Sequence, residues 1–282
     1  MKNEEKRTGA FFIDIEKVIA DKNPRLLKIL PAFLIRYLKN IIHQDELNEF
    51  LRLHGDLEGL DFIRKGLETL ETNYEVIGLE KLPKDGRYLF ASNHPLGGLD
   101  GLVFINEVGK IWPRLKFPVN DLLMNIKNLD PIFLPINKHG KQDKQAVIQI
   151  EKSYASDDQI LYFPAGLCSR KKKGKIEDLD WKKHFITKAV KHKRDIVPVY
   201  FSGSNSNFFY NLANLRGLLR IKSNIEMVYL ADEMFKQKDK KIIVRFGEPM
   251  SYKMFDRTFS PEVWALKVKK IVYSLGVGND TL

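Results

Sequence analysis

The 282-residue chain contains a single cysteine, Cys168. One thiol cannot build an intramolecular disulfide framework, and this scarcity fits a reducing compartment. No apolar run reaches the roughly 18 to 20 residues needed to cross a bilayer. The opening Met1-Lys2-Asn3-Glu4-Glu5-Lys6-Arg7 is not followed by the apolar core of a secretory signal. The expectation is a protein inside the cell, free or bound to a membrane face. The common nucleotide-phosphate loops, Gly-x-x-x-x-Gly-Lys-Ser/Thr and Gly-x-Gly-x-x-Gly, do not occur. Nor does a Gly-x-Ser-x-Gly elbow, so a serine hydrolase of that kind has no support. The six histidines form no His-Glu-x-x-His set, and no metal site is expected. No zinc spacing or RNA-binding sheet signature occurs, and no nucleic-acid partner is expected.

What is abundant is positive charge. There are 47 Lys and Arg against 36 Asp and Glu, a net charge of +11. With 44% hydrophobic and 29% charged residues, the composition is that of a globular chain of one or two domains. A basic protein suits an anionic membrane, nucleic acid or an acidic substrate. Residues 166 to 195 hold eleven basic and four acidic side chains, from Arg170, Lys171, Lys172 and Lys173 to Lys193 and Arg194. Such a tract can hold anionic lipid heads or the phosphates of coenzyme A or of a carrier protein. It can equally be a solvated surface.

Residues 1–70 read as an N-terminal helical region. Pro24 opens a helix, Pro31 breaks or kinks it, and a second apolar pattern from Leu47 to Leu70 gives one or two more helices. The region is either a helical cap or an interfacial, membrane-facing element. From about residue 71 to 282, short β-rich runs alternate with helical stretches. Strands are predicted over 74–79, 87–92, 132–135, 160–163, 195–201, 225–230 and 241–246. Helices are predicted over 100–108, 143–155, 180–193 and 260–275, the last opened by Pro261. This is the pattern of an α/β domain with a mixed sheet and helices on its faces.

Two strings carry chemistry. In Asn93-His94-Pro95-Leu96-Gly97-Gly98-Leu99-Asp100, a histidine follows an apolar strand, and an aspartate able to orient it lies six residues on. Gly97 and Gly98 permit a tight turn or close approach of a substrate. A plain strand-to-helix turn with a capping aspartate is the competing reading. In Phe163-Pro164-Ala165-Gly166-Leu167-Cys168-Ser169-Arg170, Gly166 offers a backbone N–H for an oxyanion or phosphate, and Ser169 and Arg170 are possible anion ligands. A structural turn is again the alternative. Cys168, with no histidine established beside it, reads as a core residue.

At these residues the chain resembles the glycerolipid acyltransferases, the family typified by 1-acyl-glycerol-3-phosphate acyltransferase. Asn93, His94 and Asp100 match its Asn-His…Asp motif. Phe163 to Ser169 resembles its Phe-Pro-Glu-Gly-Thr-Arg-Ser block. Asp195-Ile196-Val197-Pro198-Val199 and Val244-Arg245-Phe246-Gly247-Glu248-Pro249 resemble two later blocks. The resemblance spans about residues 72 to 250 and implies a mixed, largely parallel sheet flanked by helices. Five residues separate His94 from Asp100 where the family usually has four. Ala165 and Cys168 replace the family's glutamate and arginine. Lys138 stands near the family's phosphate-binding arginine. The chain is similar to a divergent, hemolysin-like branch, including O-acyltransferases that complete ornithine or glycine aminolipids.

The resemblance implies acyl transfer from a thioester of acyl-carrier protein or coenzyme A to a hydroxyl of a lysolipid-like acceptor, in phospholipid or aminolipid biosynthesis. His94 is the expected base and Asp100 its partner. Asn93, Gly97, Gly98, Lys138, Phe163, Pro164, Gly166, Ser169 and Arg170 are the expected substrate contacts. No bound cofactor is expected. The expected location is peripheral, on the cytoplasmic side of the inner membrane, facing its anionic surface. The altered second block leaves an alternative: a non-catalytic lipid or acyl-carrier binding protein on the same fold.

Overall fold

The computed structural model describes residues 13–120, 123–136 and 144–277. A seven-stranded sheet organises them. Its strands are β1 (Asn73–Ile77), β2 (Tyr88–Ser92), β3 (Leu115–Val119), β4 (Phe133–Pro135), β5 (Gln159–Tyr162), β8 (Asp195–Phe201) and β9 (Lys241–Phe246). They lie in the order β1-β9-β8-β2-β5-β3-β4. Every neighbouring pair is parallel except β8 and β9. A separate antiparallel hairpin joins β6 (Arg170–Lys172) to β7 (Lys175–Glu177).

Strand β2 explains the layering. All five of its residues are buried, as a central parallel strand covered on both faces requires. Alternate side chains enter opposite cores. Phe90 joins one core with Phe62, Ile63, Val103 and Phe104, and Leu89 and Ala91 join the other with Phe185, Ile186, Ala265 and Val268. The first face is covered by α5 (Gly59–Thr69) and α6 (Leu99–Ile111), the second by α7 (Lys144–Ala155), α8 (His184–His192) and α11 (Pro261–Gly276). Helix α5 thus shares the core of the sheet. Ser260 caps α11 ahead of Pro261, as Pro at the first helical position favours.

Before α5 come α1 (Ile15–Lys22), α2 (Pro24–Ile29), α3 (Ala32–Ile41) and α4 (Gln44–His54). The break between α2 and α3 falls at Leu30 and Pro31, both extended, because Pro31 has no N–H to continue the helix. Helix α9 (Asn207–Leu218) follows β8, and α10 (Leu230–Phe235) precedes β9.

One expected strand is absent. Residues Ile225–Tyr229 form a 3₁₀ turn leading into α10. Ile225 and Val228 are exposed while Glu226 is fully buried, the reverse of a core strand. Strand β3 was not expected, because Pro113 and Pro118 break its apolar pattern.

Candidate active site

The topology brings the two chemistry-bearing strings together. Strands β2 and β5 are parallel neighbours, so the residues that follow them emerge side by side at one end of the sheet. Ligand sites favour the carboxyl ends of strands in such folds. His94 follows β2, and Phe163 follows β5. Their rings stack with centroids 3.9 Å apart and planes within 18°.

Asp100 lies in the first turn of α6 and is completely buried. The Nδ1 atom of His94 is 3.0 Å from its Oδ2. The same oxygen accepts the Leu96 N–H at 2.9 Å, and Oδ1 accepts the Gly101 N–H at 2.9 Å. A carboxylate so placed assigns the proton to Nδ1 and the lone pair to Nε2. Nε2 has no protein partner among the described residues, and the His94 side chain is 15% exposed. The five-residue spacing therefore closes into a dyad. Gly97 absorbs the extra residue at φ +78°, a left-handed conformation, and a Cβ there would sit 2.6 Å from Leu230. A Cβ on Gly98 would sit 2.8 Å from the Met234 sulfur. Helix α10, which carries both residues, packs directly on the turn.

The second string acts largely as a clamp on the first. The Ser169 N–H donates to the His94 carbonyl at 2.7 Å. The Ser169 hydroxyl donates to Asp178 Oδ1 at 2.6 Å, and the His94 N–H reaches the same oxygen at 3.2 Å. The Trp181 indole N–H donates to Asp178 Oδ2 at 2.9 Å. Burial raises the Asp178 carboxyl above its ordinary range, against the pull of these hydrogen bonds. Asp178, Trp181, Leu230 and Met234 escaped sequence reasoning. Their contacts with the His94 turn exist only in three dimensions.

Several expected substrate contacts prove to be committed within the protein. The Asn93 amide donates to the Phe201 carbonyl at 2.8 Å and accepts the Phe201 N–H at 2.7 Å. It splices the end of β2 to β8 and has little left to offer a substrate. The Gly166 N–H, at φ +69°, closes a turn onto the Phe163 carbonyl at 3.0 Å, which removes it as the expected oxyanion donor. The Pro164 carbonyl accepts the Lys182 N–H. Ser169 is held by Asp178. Arg170 is buried and pairs with the fully buried Glu226 at 2.8 Å, while Arg216 approaches the other Glu226 oxygen at 2.9 Å. It is not a free anion ligand. Lys138 lies outside the described residues. Cys168 is buried, and burial pushes its thiol up to about 11. It is protonated at neutral pH and unsuited to act as a nucleophile.

The basic tract also divides. Arg194 is completely buried and donates to the carbonyls of Tyr154 and Asp158 at 2.7 Å each. Lys188 and Lys191 pair with Glu151, and Lys183 with Glu262. Of the remaining lysines, Lys171, Lys172, Lys173 and Lys175 lie on the β6–β7 hairpin, Lys182 follows it, and Lys193 ends α8. Lys172, Lys173, Lys175 and Lys182, with Glu177 and Asp180 among them, line a groove of about 980 Å³ that runs against Gly166 and Asp178.

A family described as acyltransferase matches residues 17–278. A curated protein from Bacteroides thetaiotaomicron, named lyso-glycine lipid O-acyltransferase, is 50% identical over 266 residues, covering 94% of this chain and 98% of its own. A protein of the same name from Phocaeicola vulgatus is 47% identical over 266 residues, covering 94% and 95%. The crystal structure of the 1-acyl-sn-glycerophosphate acyltransferase PlsC from Thermotoga maritima is similar over 78% of each chain, at 20% identity and a TM-score of 0.47. With a family match over nearly its whole length and relatives at about half identity, the chain belongs to the acyltransferase family.

Proposed function

We propose that the chain moves a fatty acyl group from a thioester to the hydroxyl of a lyso-glycine-lipid-type acceptor. The observation that carries this reading is the His94–Asp100 pair, 3.0 Å apart, with Nε2 free of protein partners among the described residues, at the carboxyl end of β2. The names of the two curated relatives support the acceptor class.

The step balances with the two substrates and this dyad. Nε2 takes the proton of the acceptor hydroxyl as its oxygen bonds to the thioester carbonyl carbon. Asp100 stabilises the imidazolium through Nδ1–H. The amino end of α6, where Asp100 sits, favours the negative charge that develops on the carbonyl oxygen. The C–S bond then breaks, and the leaving sulfur takes the proton from Nε2. Phe163, stacked on the imidazole, fixes the ring plane throughout.

The donor is an acyl thioester of acyl-carrier protein or coenzyme A, and the lysine-lined groove beside Gly166 suits the phosphate that either carries. The acceptor's acyl chain partitions into a bilayer, so the chain works as a peripheral protein on the cytoplasmic side of the inner membrane. No helix among the described residues is long and apolar enough to cross a membrane. The test is mass spectrometry of cellular lipids with and without expression of the chain, beside its His94→Ala variant. An O-acylated aminolipid that rises with the parent chain and not with the variant is the expected result. Equal lipid profiles with both proteins folded would contradict the proposal. Tight binding of acyl thioester without turnover would favour a binding protein instead.

A further inference from the structure

Helix α9 wears an apolar stripe on its solvent side. Phe208, Leu215 and Leu219 recur at intervals of seven and four, which places them on one helical face. Leu215 is 51% exposed and Leu219 60%, and neighbouring Leu218 reaches 79%. A soluble surface scatters such residues singly; a continuous band of them marks an interaction site.

The stripe does not end with α9. The Phe208 ring meets Tyr229 edge-on at 5.0 Å, and the Tyr229 hydroxyl is 3.0 Å from that of Tyr37 on α3. One turn before Tyr37 stands Phe33, 72% exposed, and beyond the Pro31 break Ile29 is 75% exposed. Two segments almost 200 residues apart in sequence thus form one apolar band. Both are also free of acidic residues. Residues 24–42 carry Arg25, Lys28, Arg36 and Lys39, and residues 207–225 carry Arg216, Arg220 and Lys222, with no Asp or Glu in either; Lys39 is paired with Glu16 and Arg216 with Glu226, which leaves Arg25, Lys28, Arg36, Arg220 and Lys222 for anionic heads.

We infer that this band is a two-armed docking surface for an anionic lipid bilayer, with the α9 end as a second anchor beside α2–α3. Exposed leucine and phenylalanine enter the acyl boundary while flanking Lys and Arg meet anionic heads. The band also lies against the chemistry. Leu230, directly after Tyr229, is the residue that fills the space over Gly97 in the His94 turn. Docking here sets the catalytic turn at the lipid surface. That consequence rests on the proposed acyl transfer to a lipid acceptor; the docking itself does not.

The test is flotation of the full chain with vesicles of phosphatidylcholine and phosphatidylglycerol. Leu215→Ser combined with Leu219→Ser disturbs only exposed positions and is expected to weaken partitioning about tenfold, as is Phe33→Ser. Leu266→Ser, at an exposed site on α11, is expected to bind like the parent chain. Lys222→Ala is expected to lower binding to the mixed vesicles and leave weak binding to pure phosphatidylcholine unchanged. Circular dichroism checks that each variant stays folded. If the Leu215/Leu219 variant floats like the parent while Phe33→Ser does not, the second anchor is overturned. If the parent ignores vesicles but sediments as a dimer that the Leu215/Leu219 variant dissolves, the band is a self-association face and the inference is overturned. His94→Ala is expected to float like the parent, so docking is read without turnover. Docking with no acyl transfer by any variant would support the surface and contradict the proposed function.

Discussion

At the scale of single residues, the site is built by commitment of polar atoms. Asp100 accepts from an imidazole and from backbone N–H groups at once, and Asp178 ties Ser169 to the His94 backbone. The two carboxylates have different work, one orienting the ring and the other the chain that bears it. Asp178 gives a pH prediction. Burial raises its native carboxyl above the ordinary value of about 3.9. Between those two values the native state binds more protons than the unfolded state, so unfolding free energy falls as pH rises. The contribution is greatest below the ordinary value and is lost once pH passes the raised native one. Asp178→Asn removes that slope. Denaturant melts across this acidic window should show the parent losing stability relative to the variant as pH rises; parallel curves would contradict the assignment. Cys168 makes the opposite point. Its thiol, pushed up to about 11, is a packing group. Cys168→Ala should cost about 1 kcal/mol of stability and leave acyl transfer close to the parent rate. Loss of turnover in a folded variant would make the thiol chemical after all.

At the scale of elements, the mixed sheet and its central strands were legible in the sequence because their patterns obey one local rule. Within Asp195–Phe201 the run Ile196–Val199 is continuously apolar and buried, as a central strand must be. Pro24, Pro31 and Pro261 punctuated helices where their missing N–H requires. What failed to read was set by tertiary partners. Ile225–Tyr229 has strand-like composition, yet Glu226 is drawn inward by Arg170 and Arg216, which turns the segment into a 3₁₀ helix. The same partnership took Arg170 from the candidate anion ligands. Sequence spacing cannot report an ion pair between residues 56 positions apart. The Arg170–Glu226–Arg216 cluster pins β6, α9 and the approach to α10 together. Glu226→Gln would leave the buried Arg170 guanidinium and the part-buried Arg216 guanidinium without their counter-charge. It should cost about 3 to 5 kcal/mol, read as a lowered denaturation midpoint. A loss below about 1 kcal/mol, the scale of an exposed ion pair, would show the cluster to be solvated.

At the scale of the whole molecule, the fold gathers the chemistry-bearing residues at one end of a sheet whose two faces are both covered by apolar cores. Parallel β2 and β5 bring His94 and Phe163 together, and α10 packs its Leu230 and Met234 onto the glycine turn. The Asn-His…Asp and Phe-Pro blocks were visible in the sequence because short motifs keep the residue types that the chemistry needs. The sequence did not tell whether five intervening residues could close the dyad. That depended on Gly97 adopting a left-handed turn under α10. In the proposed reaction His94 Nε2 is the base of an acyl transfer. The most direct measurement is thiol release from an acyl-carrier or coenzyme A thioester by the purified chain, with a lyso-glycine lipid in vesicles, for the parent and for folded His94→Ala. Release is expected to be coupled to ester formation and to fall at least about a hundredfold in the variant. Equal rates in the two proteins would contradict His94 as the base.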